Sequence, residues 1–124
     1  MNDLTIVIPA YNEEQALSFF LPELLQYCRT KGCKLIIVND GSKDGSKEML
    51  DRHADPSFFT PIHHKVNRGY GGAIKTGIKA TKTEFVITID ADGQHRLEDV
   101  TSLYNILRER DADMVIGSRT RNKE

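Results

Sequence analysis

Tryptophan is absent from the 124-residue chain, and cysteine occurs only twice. Cys28 and Cys33 cannot build the framework of a disulfide-stapled secreted domain, so the expectation is two reduced structural thiols in a cytoplasmic protein. Long hydrophobic runs are missing too. Stretches such as Leu35-Ile36-Ile37-Val38 are far shorter than the roughly 20 residues that cross a bilayer. No basic-then-apolar leader pattern precedes the first apolar run at Leu4, in keeping with a cytoplasmic location. Neither charge sign dominates: 17 Lys and Arg against 18 Asp and Glu leave a net charge of −1. A chain without a basic field lacks the electrostatic footprint of a nucleic-acid binder, so no nucleic-acid partner is expected. Hydrophobic residues make up 39% and charged residues 28%, which sets aside disordered and fibrous classes. The length allows one domain, with a core that needs no covalent staples.

What is present is a regular alternation. Leu4 to Ile8 is a β-branched apolar run closed by Pro9, which donates nothing to a sheet ladder. Asn12 reads as a helix N-cap with Gln15 completing a capping box. Apolar residues then recur at helical spacing from Leu17 to Cys28, with a kink or restart expected at Pro22 and a stop at Gly32. Further strands are expected at Lys34–Val38, Pro61–Val66, Phe85–Ile89 and Met114–Ile116, and helices up to His53, after Gly72 and over Leu97–Arg110. Asp44 reads as the cap of the helix that ends at His53. The implied fold class is α/β: a mainly parallel sheet with helices on both faces and right-handed crossovers.

Parallel sheets bind ligands beyond the carboxyl ends of their strands. The unusual residues of this chain gather there. Pro9-Ala10-Tyr11-Asn12-Glu13 follows the first strand, and Asn39-Asp40-Gly41-Ser42 the second. Asn67-Arg68-Gly69-Tyr70-Gly71-Gly72 follows the third, Asp90-Ala91-Asp92-Gly93-Gln94-His95 the fourth, and Gly117-Ser118-Arg119 the fifth. Asp90 and Asp92 are two carboxylates one residue apart, an arrangement that a hard divalent cation relieves; Gln94 adds a neutral oxygen. A simple acidic turn would use the same residues. Asp40 is suited to accept hydrogen bonds from a nucleobase, or to serve a turn. The glycine-rich segment after Asn67 is neither a Walker loop nor a dinucleotide fingerprint. Tyr11 suits stacking on a base, and Arg119 suits a phosphate. The four histidines show no metal-ligand spacing with the cysteines, and of them only His95 is expected near this rim.

The five loops, in this order and spacing, resemble family 2 glycosyltransferases. The Asp-Ala-Asp-Gly-Gln-His form is most similar to the polyprenyl-phosphate sugar transferases of the dolichyl-phosphate mannose synthase type. The resemblance implies a Rossmann-like GT-A nucleotide-binding fold and a nucleotide-diphosphate sugar donor, a UDP- or GDP-sugar, with Mg²⁺ or Mn²⁺. It implies that Pro9, Ala10, Tyr11 and Glu13 line the nucleotide pocket, that Asp40 contacts the base and that Gly69 lies near the nucleoside. Asp90, Ala91 and Asp92 would then hold ribose, diphosphate and metal, with Gln94 as a further metal ligand. Arg119 would contact the phosphate of a polyprenyl-phosphate acceptor, with the sugar transferred with inversion. Asn39 stands where many family members carry an Asp, a departure that leaves the role of Asp40 in place. The resemblance also implies a truncated unit: residues 1–124 would be the N-terminal, nucleotide-sugar-binding half of a family 2 domain. A longer parent would carry the acceptor site and a peripheral membrane association. The unpaired sheet edge favours a homodimer.

Other readings are a non-catalytic nucleotide-binding or interaction module of the same fold and a nucleotidyltransferase. The latter normally carries a glycine-and-basic loop after strand one, absent from Pro9-Ala10-Tyr11-Asn12-Glu13. A response-regulator receiver domain would need its acidic pair after strand one, not strand four.

Overall fold

The computed structural model describes residues 1–91, 97–110 and 114–116, with 110 and 114–116 as backbone. Nine elements alternate along it: β1 (Leu4–Ala10), α1 (Glu14–Lys31), β2 (Lys34–Asp40), α2 (Ser46–His53), β3 (Phe59–His64), α3 (Gly69–Ala80), β4 (Phe85–Thr88), α4 (Leu97–Arg110) and β5 (Met114–Ile116). All strand pairings are parallel. The order is β3-β2-β1-β4-β5, so the chain adds strands on one side of β1 and then returns to build on the other. The switch between β1 and β4 is where such sheets leave a crevice for ligands.

Strand alternation sorts side chains into two unequal layers. Leu4, Ile6, Ile8, Leu35, Ile37, Phe59, Phe85 and Ile87 face one way, into the main core with α1, α2 and α4. Val7, Ile36, Val38 and Val86 face the other way and meet α3 through Ala73. α3 lies so close to β1 that a β-carbon at Gly77 would overlap the Val7 side chain.

Several expectations are corrected. α1 runs unbroken from Glu14 to Lys31 with Pro22 inside it. The six buried side chains of its stripe, at about 1.5–3 kcal/mol each, outweigh the roughly 3 kcal/mol a helical proline costs. Gly32 ends the helix as expected, its amide bonding to the Cys28 carbonyl. Asn12 is no N-cap. Glu13 holds that position without a side-chain cap bond, and Asn12, at φ 53°, braces a neighbouring loop. β3 begins at Phe59, two residues before the sequence suggests, because Phe59 is driven into the main core while Val66 stays 72% exposed. β2 runs on through Asn39 and Asp40, both buried. α4 presents Val100, Tyr104 and Leu107 to the same core as α1. Since β4→β5 steps opposite to β1→β2 with helices on the same face, those two crossovers differ in hand, contrary to the uniform right-handed expectation. Cys28 and Cys33 are buried and unbridged. No described helix is long and apolar enough to cross a membrane.

Candidate functional site

A cavity of about 440 Å³ opens at the carboxyl ends of the strands, beside the first turn of α3. Pro9, Ala10, Tyr11, Glu13, Asp40, Gly69, Asp90 and Ala91 all line it. These are the nucleotide-site residues picked out in sequence, except those outside the described residues. Asp92, Gln94, His95 and Arg119 lie there. The cavity wall also includes Asn67 and Tyr70, from the segment that the sequence places on the rim without giving either residue a role, and Ala73 beside them.

Asp40 is the most constrained of these groups. It is 3% exposed, at a register where Asp40 pairs with His64 across β2 and β3. The carboxylate Oδ1 accepts from the Arg68 amide at 2.9 Å and from His64 Nδ1 at 2.8 Å. His64 Nε2 lies 2.9 Å from the Thr76 hydroxyl on α3. Asn67 Nδ2 donates to the Asp40 carbonyl at 3.1 Å. Burial alone raises the Asp40 pKa, but the hydrogen bonds from His64 and from the Arg68 and Gly69 amides outweigh it and hold the carboxyl below its ordinary range. Asp40 is therefore an anion at neutral pH, held from behind and bordering the cavity in front. Gly41 permits this closeness: at φ 75°, it carries no β-carbon, which would stand 2.5 Å from the Asn67 backbone nitrogen.

The first two rim loops are clasped by four bonds. The Asn12 amide donates to Ser42 Oγ at 2.9 Å, and the Lys43 amide to Asn12 Oδ1 at 2.8 Å. The Glu14 amide donates to Asp44 Oδ2 at 3.2 Å, and the Gly45 amide to Glu14 Oε1 at 2.9 Å. Asp44 Oδ1 also takes the Ser46 amide and hydroxyl. Asp44 thus serves the start of α2, as expected, from one residue outside the cap. Partial burial pushes its pKa up, while the Ser46 and Glu14 bonds prevail and lower it. This clasp fixes Tyr11, which is 45% exposed at the cavity mouth.

His64 is the functional candidate missed in sequence, where only His95 was placed near the rim. The available signal was the period-two register of β3, which sets His64 beside Asp40. Placing that strand two residues late hid it.

A carboxylate suited to a hard divalent cation borders the cavity at Asp90, which lines it together with Asp40. Among the described residues, no group of three metal-ligating side chains occurs.

The family model for glycosyl transferase family 2 matches residues 5–124. A dolichyl-phosphate beta-glucosyltransferase of Trichomonas vaginalis is 36% identical over 134 aligned positions, covering 98% of this chain and 41% of its own length. An undecaprenyl-phosphate 4-deoxy-4-formamido-L-arabinose transferase of Proteus mirabilis is 35% identical over 128 positions, covering 100% of this chain and 39% of its own. The chain thus spans about two-fifths of the length of these curated relatives. A mannosyltransferase of Pyrobaculum calidifontis, solved with GDP-Man and Mn²⁺, superposes with a TM-score of 0.63 at 26% identity, over 73% of this chain and 27% of that one. TarS of S. aureus, solved with UDP-GlcNAc, superposes with a TM-score of 0.67 at 19% identity over 86% of this chain and 32% of that one, a likeness of fold. From residue 5 onward, the chain belongs to glycosyl transferase family 2 and its architecture is that of the GT-A fold.

Proposed function

We propose that this chain is the donor-binding part of a glycosyltransferase that moves a sugar from a nucleoside diphosphate to a polyprenyl phosphate. The observation that carries the reading is the convergence of an anionic, buried Asp40 and of Asp90 on one cavity at the sheet's switch point. An ionised carboxylate accepts hydrogen bonds only, so it suits a base with a ring N–H, such as uracil or guanine. Cytosine and adenine turn a ring acceptor toward it. Tyr11 at the mouth offers a face for stacking the base, and Glu13 a further acceptor.

The carboxylates fit a divalent cation by their chemistry. Asp90, Asp92 and Gln94 are the residues that would hold it. Bound there, Mg²⁺ or Mn²⁺ would offset the charge of the departing diphosphate. The acceptor fits the same economy of charge. A polyprenyl phosphate is already an anion at neutral pH, so no general base is needed. Arg119 would pair with that phosphate and orient it for attack on the face opposite the leaving group, which inverts the anomeric carbon. The glucosyl- and arabinosyl-transferring relatives, whose names specify dolichyl and undecaprenyl phosphate, support this acceptor class.

A thermal-shift panel of UDP, GDP, CMP and ADP, each with and without Mn²⁺, tests the reading. A ligand at about a hundredfold its Kd adds about 2.7 kcal/mol, several degrees for this size. UDP or GDP with Mn²⁺ should give the largest shift. No shift with any nucleotide, or equal shifts with all four, contradicts it.

A further inference from the structure

We infer that His64 is a positioning residue for base recognition: it locks the Asp40 carboxylate in the orientation that receives a ring N–H of the nucleotide. The inference rests on the donor-binding reading above and extends it to a side chain that never touches the ligand. His64 is 7% exposed. It sits behind Asp40, on the strand beside it.

The chain of bonds has a direction. A carboxylate cannot donate, so the 2.8 Å contact requires the proton on His64 Nδ1. In the neutral ring Nε2 is then an acceptor, and the Thr76 hydroxyl 2.9 Å away donates to it. Thr76 belongs to α3, and His64 and Asp40 belong to neighbouring strands, so the relay ties the helix to the sheet behind the cavity. At Asp40 the His64 bond and the Arg68 amide converge on the same oxygen, Oδ1. Turning the carboxylate about its Cβ–Cγ bond would break both. Hydrogen bonds weaken steeply off line, so a carboxylate held still discriminates between a ring N–H and a ring acceptor better than one that turns.

Two near-isosteric replacements separate this role from mere core filling. Asparagine places an amide NH₂ near the position of the histidine Nδ1, and glutamine places one near Nε2. His64→Asn keeps the donor toward Asp40 and loses the Thr76 bond. His64→Gln does the reverse. Titration calorimetry with Mn²⁺ present compares UDP with CDP, which differ only at the base edge, and GDP with ADP. For whichever of UDP or GDP binds, His64→Gln should weaken affinity about tenfold and narrow the UDP/CDP or GDP/ADP ratio; His64→Asn should return it to within about threefold of the parent. Melting temperatures of the two variants should fall alike. Nitrogen-15 spectra of the parent should show the His64 proton on Nδ1 with no nucleotide present.

Equal weakening by both variants overturns the inference. So does no weakening by His64→Gln where Asp40→Asn weakens binding about tenfold or more, an outcome that leaves the donor-binding reading standing. A proton found on Nε2 alone overturns it independently of any ligand. A parent chain that binds neither UDP nor GDP removes the donor-binding reading and this inference with it.

Discussion

Neighbouring histidines on β3 head two networks on opposite faces of the same sheet. His64 faces α3 and closes the buried relay Asp40–His64–Thr76. His63 faces α2. Its Nδ1 accepts from the side-chain Nδ2 of Asn39 at 3.1 Å, and its Nε2 donates to Asp51 Oδ1 at 2.7 Å. In neutral rings these partners call for opposite tautomers, Nδ1–H in His64 and Nε2–H in His63. Asp51 is 45% exposed and also pairs with Lys47 on its own helix, whereas Asp40 is buried and forms part of the cavity wall. Both carboxyls are held below the ordinary range. For Asp51 the cause is the His63 bond, then Lys47, in a solvated setting. For Asp40 the same direction is reached against a burial penalty. The same residue types on the same strand pair thus give a surface network on one face and a preorganised anion on the other. What separates them is the layer above: α2 leaves Asp51 in water, and α3 with its preceding loop closes over Asp40.

The contrast can be broken at Asp40 first. Asp40→Asn should lower affinity for UDP or GDP by roughly 10- to 100-fold, the range for a hydrogen bond to a charged group, as read by calorimetry. Gly41→Ala comes next. It adds a β-carbon against the Asn67 backbone at a positive φ, which should cost about 1–3 kcal/mol in urea unfolding and loosen the loop over Asp40. Asp44→Ala removes the clasp to Ser46 and Glu14 and should cost about 1 kcal/mol at neutral pH. Its pH dependence has a definite sign. The folded-state pKa is lowered, so the stabilisation is present above the unfolded value near ~3.9 and is lost as pH falls through the folded value. The melting gap between parent and Asp44→Ala should therefore be full above about pH 5 and close as pH falls through the lowered folded-state value. The smallest effect belongs to the other histidine network. Asp51→Asn should change stability by no more than about 0.5 kcal/mol, as exposed pairs do, and leave nucleotide affinity unchanged. A large loss of affinity there would erase the distinction between the two faces.

Much of the frame was legible because its signals are local. Apolar runs of strand length alternate with 3.6-period stripes, and the strand-end loops announce themselves by acids, amides and glycines. Tyr11, Glu13, Asp40 and Asp90 stand out by that reading, whereas the resemblance to family 2 glycosyltransferases is what added Pro9, Ala10, Gly69 and Ala91 to the pocket. What escaped it is non-local. Asn12 looks like a cap by its neighbours, yet a loop thirty residues on captures its side chain and sets its φ. Val66 looks like strand by its β-branched apolar side chain, yet Phe59 sets the strand by filling the core. Those two residues of slippage are what hid the pairing of Asp40 with His64. Asn67 and Tyr70 belong to a segment that the sequence places on the rim, but their entry into the cavity wall depends on non-local packing: the Asn67 backbone lies against Gly41, and Tyr70 stands in the first turn of α3.

The most direct test of the central claim is a nuclear magnetic resonance titration of the labelled chain with UDP and GDP in the presence of Mg²⁺. The amide shifts induced by one of these nucleotides should concentrate on residues 9–13, 40–41, 67–73 and 90–91. Shifts centred instead on the opposite end of the sheet, around Lys34, Thr60 and Lys82, or no saturable shifts with either nucleotide, would contradict it.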